Sequence, residues 1–152
     1  MLYAKMKGLA INLRNSRRAH SCIYKIDRSL LYMERVLVVE DADTLRDVLR
    51  SVLEHEGYSV DSCASAEEAV ERISSSTFSL VLSDFKLPGM NGIDLLKNTR
   101  ESAPNVPFLM MTAYGSIDVA VEAMKFGAND FVCKPFEPEQ LCSMIRDVIA
   151  HK

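Results

Sequence analysis

The sequence has no tryptophan, no Cys-x-x-Cys pair and no apolar run near the roughly 18 residues that would span a bilayer. Its four cysteines are scattered, and none has a histidine at metal-ligand spacing: Cys22, Cys63, Cys133 and Cys142. We interpret them as small buried apolar residues of a chain that resides in the reducing cytoplasm. Neither a zinc site nor a disulfide framework is expected.

The glycine-rich motifs of nucleotide-binding and hydrolase folds are also missing. No G-x-x-x-x-G-K-[ST] and no G-x-S-x-G segment occurs, which excludes a P-loop and a nucleophile elbow. A dinucleotide-binding fold would carry G-x-G-x-x-G after its first strand, where this chain has Glu-Asp-Ala-Asp. A loop that binds flavin phosphate would need small donors at that place, without acids.

Charge divides the 152 residues into two parts. Residues 1–35 hold eight Lys/Arg and two acids, whereas residues 36–152 hold ten Lys/Arg and nineteen acids. We predict a basic, poorly ordered N-terminal extension over residues 1–33 and one folded domain over residues 34–152. The acidic balance of that domain argues against direct binding of nucleic acid.

The extension has two further interpretations. Leu2, Met6, Leu9 and Leu13 would line one face of a helix that could serve as a targeting or membrane-surface segment. Alternatively the segment represents codons upstream of the natural start, since Met33 directly precedes the first predicted strand.

From Arg35 onward, short apolar runs alternate with one-sided helical patterns. A helix with Leu45, Val48, Leu49, Val52 and Leu53 on its inner face ends at Gly57, and a Ser65/Glu68 capping box opens the next one. The third helix runs through Arg100, the fourth covers Ser116–Phe126 and the last begins at Pro138. The predicted strands are Arg35–Val39, Ser59–Cys63, Phe78–Ser83, Pro107–Met111 and Phe131–Cys133. This alternation predicts an α/β fold, with a five-stranded parallel sheet covered by helices on both faces.

Functional groups of such a sheet gather at the carboxyl ends of its strands. The residues that follow strands 1, 3, 4 and 5 are chemically distinctive: Glu40 and Asp41, then Asp84, then Thr112, then Lys134. In the flavodoxin-like strand order 2-1-3-4-5, strands 1 and 3 are neighbours. The three acids are therefore expected to converge.

Carboxylates brought together repel one another. At about 4 Å each pair costs roughly 4 kcal/mol at an effective dielectric near 20, so such a cluster persists only through protonation, solvent or a bound cation. Oxygen ligands with open positions suit Mg²⁺. With the charge of Lys134 and the hydroxyl of Thr112, the set can activate an aspartate as a nucleophile and stabilise a transferring phosphoryl group.

Four separated motifs resemble the receiver domain of bacterial two-component response regulators: VLVVED (36–41), SDFKLPGMNG (83–92), Thr-Ala (112–113) and DFVCKPF (130–136). The resemblance covers roughly residues 35–150. Residues 112–136 are especially similar to receivers attached to enhancer-binding transcriptional activators.

The resemblance implies a role for each site residue. Asp84 would be the phosphorylated nucleophile, and Mg²⁺ would be held by Asp41, Asp84 and the backbone carbonyl of Lys86. Glu40 would lie in the outer acidic shell, although many relatives carry Asp there. Lys134, before an expected cis peptide bond to Pro135, would pair with the phosphoryl group.

The resemblance also implies a switch. Thr112 would hydrogen-bond the phosphoryl oxygen, Phe131 would turn inward, and the surface of helix 4, strand 5 and helix 5 would change. That face would bind a downstream partner or form a homodimer, and the phosphodonor would be a sensor histidine kinase or a histidine phosphotransfer protein. Because no output domain follows the last helix, the chain is expected to be a stand-alone receiver or the front of a longer regulator.

Two side chains are candidate modulators of phosphoryl lifetime. Lys86 and Tyr114 each lie two positions beyond a site residue, where they would overhang the phosphoryl group and obstruct water. The competing interpretation is that both are solvated loop side chains. Phe131 is expected in the core whether or not it switches.

Rival functions remain open at this point. A metal-dependent phosphohydrolase would use the same acidic pocket, but it would need D-x-D after strand 1 and a cap insertion, and the sequence has neither. A phosphorylation-dead binding domain is disfavoured because every expected site position is filled. We therefore predict a signalling domain and not a turnover enzyme.

Overall fold

The computed structural model describes residues 33–113 and 116–151 of the chain. The extension proposed for residues 1–33 falls outside these ranges except for Met33, and Tyr114 falls outside them as well. Within the described ranges, no helix has the length and apolar character to cross a membrane.

In the part of the chain that the structure describes, five strands and five helices alternate. The strands are β1 (Arg35–Val39), β2 (Ser59–Cys63), β3 (Leu80–Asp84), β4 (Phe108–Ala113) and β5 (Asp130–Lys134). The helices are α1 (Asp43–His55), α2 (Ala66–Ser75), α3 (Gly92–Ser102), α4 (Ile117–Lys125) and α5 (Pro138–Ala150). All strand pairs are parallel and the order is β2-β1-β3-β4-β5, which confirms the predicted fold class.

Side chains that alternate along each central strand supply two separate cores. Leu37 and Val39 face a cluster that includes the apolar sides of α2 and α3, and Ala123 of α4. Val36 and Val38 face a cluster that includes Leu49 and Leu53 of α1, together with the inner side of α5. The helices therefore cover both faces of the sheet, as predicted, and only its ends are left for function.

The predicted ends of three strands were wrong by one or two residues. β3 begins at Leu80 because its pairing with β1 starts there, and it extends to include Asp84. Thr112 and Ala113 belong to β4, and Lys134 is the last residue of β5. The apolar runs stop one or two residues short of the carboxyl end of each of these strands, because polar residues there still make the backbone hydrogen bonds of the ladder.

The inner face of α1 is narrower than predicted. Leu49 and Leu53 are buried, whereas Val48 is 50% exposed. Val48 lies about 100° around the helix from Leu49, so it reaches only the edge of the apolar stripe. The end of the helix was predicted correctly, since Gly57 follows it with φ of +95°.

Two helix starts follow the sequence signals. The Ser65 hydroxyl accepts a hydrogen bond from the Glu68 N–H at 3.3 Å, which is the expected cap of α2. The Glu68 carboxylate binds Arg72 at 2.6 Å, so it does not complete the capping box as predicted. Pro138 occupies the first turn of α5.

Candidate functional site

The three predicted acids meet at the carboxyl edge of the sheet. Glu40 and Asp41 follow β1, and Asp84 ends β3, its neighbour. One carboxylate oxygen from each lies within 4.8 Å of the other two. Glu40 and Asp84 are buried (1% and 7% exposed), whereas Asp41 is open to solvent. Two buried acids beside an exposed one form a pocket that is charged at its base and open at its mouth.

Lys134 reaches this pocket from the end of β5. Its ammonium group lies 2.8 Å from Glu40 Oε2 and 3.0 Å from Asp84 Oδ2. The peptide bond from Lys134 to Pro135 is cis, as expected. One cation thus bridges the two buried acids and offsets part of their mutual repulsion.

The charges of the pocket perturb one another. Burial is the largest influence on Glu40 and raises its pKa above the ordinary 4.5; the hydrogen bonds from Lys134 and the Ala42 N–H oppose that rise. The nearby charge of Asp84 raises the Glu40 pKa further. Burial alone would lower the pKa of Lys134, but its hydrogen bonds to Glu40 and Asp84 outweigh burial and raise it. The pocket brings three carboxyl groups to one ammonium group, so Lys134 offsets only part of its negative charge.

This set of atoms fits a divalent cation. The three carboxyl groups offer only oxygen ligands, and one oxygen from each comes close enough to the others to share one ion. Hard oxygen ligands in an open site are what Mg²⁺ prefers. Glu40, Asp41 and Asp84 supply these oxygens.

Thr112 and Phe131 lie on β4 and β5, the two strands that follow β3 in the sheet order. Thr112 on β4 is fully buried, and its hydroxyl lies 3.6 Å from Cys133 Sγ on the paired strand. Phe131 is only half-buried but packs against the core cluster that includes Leu37 and Val39, so the expectation of a core residue is confirmed in part. β5 is an edge strand, which leaves the outer side of Phe131 without a neighbouring strand.

Cys133 corrects a second expectation, because it is exposed while Cys63 and Cys142 are buried as predicted. Side chains alternate between the two faces of a strand, but at the end of an edge strand neither face is fully covered. Cys22 lies outside the described residues. Lys86 is exposed in the loop after β3.

Gly89 and Gly92 each make a close approach in the loop that follows Asp84. A Cβ on Gly92 would lie 2.5 Å from the carbonyl oxygen of Asp84, so α3 can start against the end of β3 only with glycine there. A Cβ on Gly89 would lie 2.7 Å from the carboxylate of Glu67, which also accepts a hydrogen bond from the Met90 N–H at 2.9 Å. These contacts fix the loop that follows Asp84.

Comparison with known proteins identifies the fold and the family together. Residues 36–146 match the family described as the response regulator receiver domain. The chain belongs to this family. Receiver domains are the phosphoacceptor signalling domains of response regulators, which receive phosphoryl groups from histidine kinases, and they do not turn over outside substrates.

Two curated relatives illustrate the match. The response regulator protein FleR of Pseudomonas aeruginosa is 44% identical over 111 residues, which is 73% of this chain and 24% of FleR. The transcriptional regulatory protein FixJ of Bradyrhizobium diazoefficiens is 38% identical over 114 residues, 75% of this chain and 56% of FixJ. The chain thus spans between a quarter and about half of these relatives.

Solved structures of receiver domains have the same fold as this chain. A CheY-like receiver domain protein from Methanospirillum hungatei has a TM-score of 0.76 and 32% identity, and the match covers 79% of this chain and 96% of that one. The chemotaxis response regulator CheY4 of Vibrio cholerae has a TM-score of 0.73 and 30% identity, covering 77% of this chain and 99% of that one.

The surroundings of Glu40 predict that its carboxyl group titrates above the ordinary pKa of a glutamate. In metal-free protein, carboxyl ¹³C NMR should place the midpoint of Glu40 above 4.5, and Lys134→Met should move it higher because a hydrogen bond that lowers the pKa is lost. Since the folded pKa exceeds the unfolded value, ionised Glu40 opposes folding. That cost should fade as the pH drops through the folded pKa. A midpoint that Lys134→Met leaves unchanged would contradict this description.

Proposed function

We propose that this receiver takes a phosphoryl group from a histidine of a sensor kinase or phosphotransfer protein onto Asp84. The observation that carries the proposal is the position of the Asp84 carboxylate, which ends β3 beside a lysine at 3.0 Å and within 4.8 Å of two further acids. An Asp84 oxygen would attack phosphorus, forming an oxygen–phosphorus bond as the bond from phosphorus to the histidine nitrogen breaks. The histidine leaves with that electron pair and takes up a proton.

In this proposal Asp41, Asp84 and the Lys86 carbonyl hold Mg²⁺, while Glu40 acts from the outer shell. When bound, the ion neutralises negative charge on the phosphoryl oxygens. Lys134 would exchange one of its two carboxylate contacts for a contact with a phosphoryl oxygen. Because its ammonium group already lies between Glu40 and Asp84, this movement would be short. The family, the oxygen ligands and the lysine all support this arrangement.

Phosphorylation would then change the surface of the domain through movements of Thr112 and Phe131. We propose that the Thr112 hydroxyl leaves Cys133 for the phosphoryl oxygen and that Phe131 turns inward. Support comes from the strand register, in which Thr112 pairs with Cys133 two residues beyond the pair of Met110 and Phe131. A displacement of Thr112 therefore acts directly beside the half-buried ring.

The surface that would respond consists of α4, β5 and α5. Large apolar side chains stand exposed on or beside α4, with Ile117 73%, Val121 48% and Met124 44% exposed. With Phe131 and Cys133 they border a cavity of about 480 Å³. A homodimer or a downstream partner on this face would bury that apolar surface and sense the position of Phe131. We place this signalling in the cytoplasm, where the phosphodonor domain of a sensor kinase would act.

Phosphorylation is tested by incubating the full chain with acetyl phosphate and Mg²⁺. We expect one acid-stable, base-labile phosphate per chain that Asp84→Ala abolishes and Asp118→Ala, which removes an exposed acid of α4, retains. Label that persists in Asp84→Ala would refute the assignment of Asp84. Sustained hydrolysis of outside phosphate esters would favour a phosphohydrolase, and absence of label in wild type would favour a phosphorylation-dead binding domain.

We further propose that Lys86 and Tyr114 prolong the life of the phosphoaspartate by obstructing water. Lys86→Asn and Tyr114→Ala should each release phosphate faster than wild type in a time course, whereas Lys125→Asn, an exposed lysine on α4, should not. Equal lifetimes in all four proteins would mean that the two side chains are solvated bystanders. Slow autodephosphorylation would persist in each case.

A further inference from the structure

The turn between β1 and α1 carries two of the acids, yet the helix that follows it has no capping side chain. Ala42 occupies the N-cap position of α1, and no side-chain hydrogen bond caps the helix. An alanine there typically costs about 0.5–2 kcal/mol relative to Ser, Thr, Asn or Asp. Other groups must therefore hold this turn.

Arg46, one turn into α1, supplies that support. Its Nη1 donates to the carbonyl of Glu40 at 2.8 Å and to the carbonyl of Asp41 at 3.4 Å. Its Nη2 pairs with the Asp43 carboxylate. The Arg46 side chain is only 18% exposed although its helix faces solvent on that side. A planar guanidinium thus binds the main chain of both acids at once, which a lysine could not do with the same geometry.

The carboxylate of Glu40 closes the same turn. Its Oε1 accepts the Ala42 N–H at 3.2 Å while its Oε2 binds Lys134 at 2.8 Å. Arg46 holds the Glu40 backbone, and Ala42 and Lys134 hold its side chain. Rotation of either peptide group at residues 40 and 41 would break these contacts and turn the carboxylates out of the pocket.

We propose that Arg46 is a positioning residue for the metal site: it fixes the backbone of Glu40 and Asp41 so that their carboxylates converge with that of Asp84. This inference rests on the proposed function, because it assumes that the acids hold Mg²⁺. The hydrogen bonds of Arg46 go to the Glu40 and Asp41 carbonyls and to the Asp43 carboxylate, and not to the carboxylates of the cluster. Arg46 acts through the two carbonyls.

The charge of Arg46 and its proposed positioning role predict opposite changes in Mg²⁺ affinity when the side chain is removed. Arg46 is a cation beside an acidic pocket, so by charge alone its removal would strengthen Mg²⁺ binding. If it positions the ligands, its removal weakens binding, and loss of such an outer partner typically lowers metal affinity by about tenfold or more. Mg²⁺ titration of the full chain by calorimetry or NMR therefore separates the two.

We expect Arg46→Met to bind Mg²⁺ about tenfold more weakly than wild type and Arg46→Lys to lie between them. Arg50→Met is the matched control, since it removes the same charge from the same helix, where Arg50 pairs only locally with the exposed Glu54 at 3.0 Å. It should bind Mg²⁺ as wild type does or slightly more tightly. In metal-free protein the Ala42 amide should exchange faster in Arg46→Met, with global unfolding measured alongside to verify the fold.

Arg46→Met that binds Mg²⁺ as tightly as wild type, or tighter, overturns the positioning role and leaves the proposed function standing. Should Arg46→Met fail to fold, Arg46→Lys with wild-type affinity and an unchanged Ala42 amide overturns it equally. Wild type without saturable Mg²⁺ binding overturns the metal part of the proposed function and this inference with it.

Discussion

The structure depends on holding like charges together at one edge of a parallel sheet. β1 and β3 are neighbours in the sheet, so the acids at their carboxyl ends come together whatever their charge. Burial of Glu40 and Asp84 removes the water that would otherwise screen them. The ammonium group of Lys134 bridges the two carboxylates. A pocket that a single lysine only partly neutralises is suited to receive a divalent cation and then a phosphoryl group.

The rest of the fold makes this crowding possible. Two apolar cores, one on each face of the sheet, anchor the strands so that their ends cannot move apart. Gly92 lets α3 start against the Asp84 carbonyl, and Arg46 holds the turn after β1. On the other side of Asp84, Thr112 and Phe131 connect the pocket to an incompletely covered edge strand. Strong packing therefore surrounds the acids, whereas the face proposed to switch is the loosely covered one.

Periodicity and strand-end chemistry were sufficient to predict the strand order, the helices on both faces and the convergence of the acids with Lys134. These features depend on short-range patterns and on topology rules that hold across α/β proteins. The exposure of Cys133 and Val48 could not be predicted, because it depends on how completely the helices cover the end of the edge strand and on how far a helix is rotated about its axis. Spacing alone does not encode either.

Contacts made by single side chains to backbone carbonyls were also missed. Arg46 is four residues from Ala42 in sequence, but nothing in its helical position says that it turns back to two carbonyls. Arg100 was treated only as the end of a helix, yet it donates to the Gly127 and Val106 carbonyls at 2.7 Å each.

Central to the structure is the inference that Lys134 offsets the negative charge of the acidic cluster until a metal ion does so. It is tested most directly by the free energy of unfolding of wild type, Lys134→Met and the exposed control Lys125→Met, measured by denaturant titration across Mg²⁺ concentrations. Because Lys134 is partly exposed, its removal should cost about 2 kcal/mol without Mg²⁺, and the gap should narrow as Mg²⁺ saturates the pocket. A Lys134→Met protein as stable as wild type without Mg²⁺, or a gap that Mg²⁺ leaves unchanged, would contradict the account.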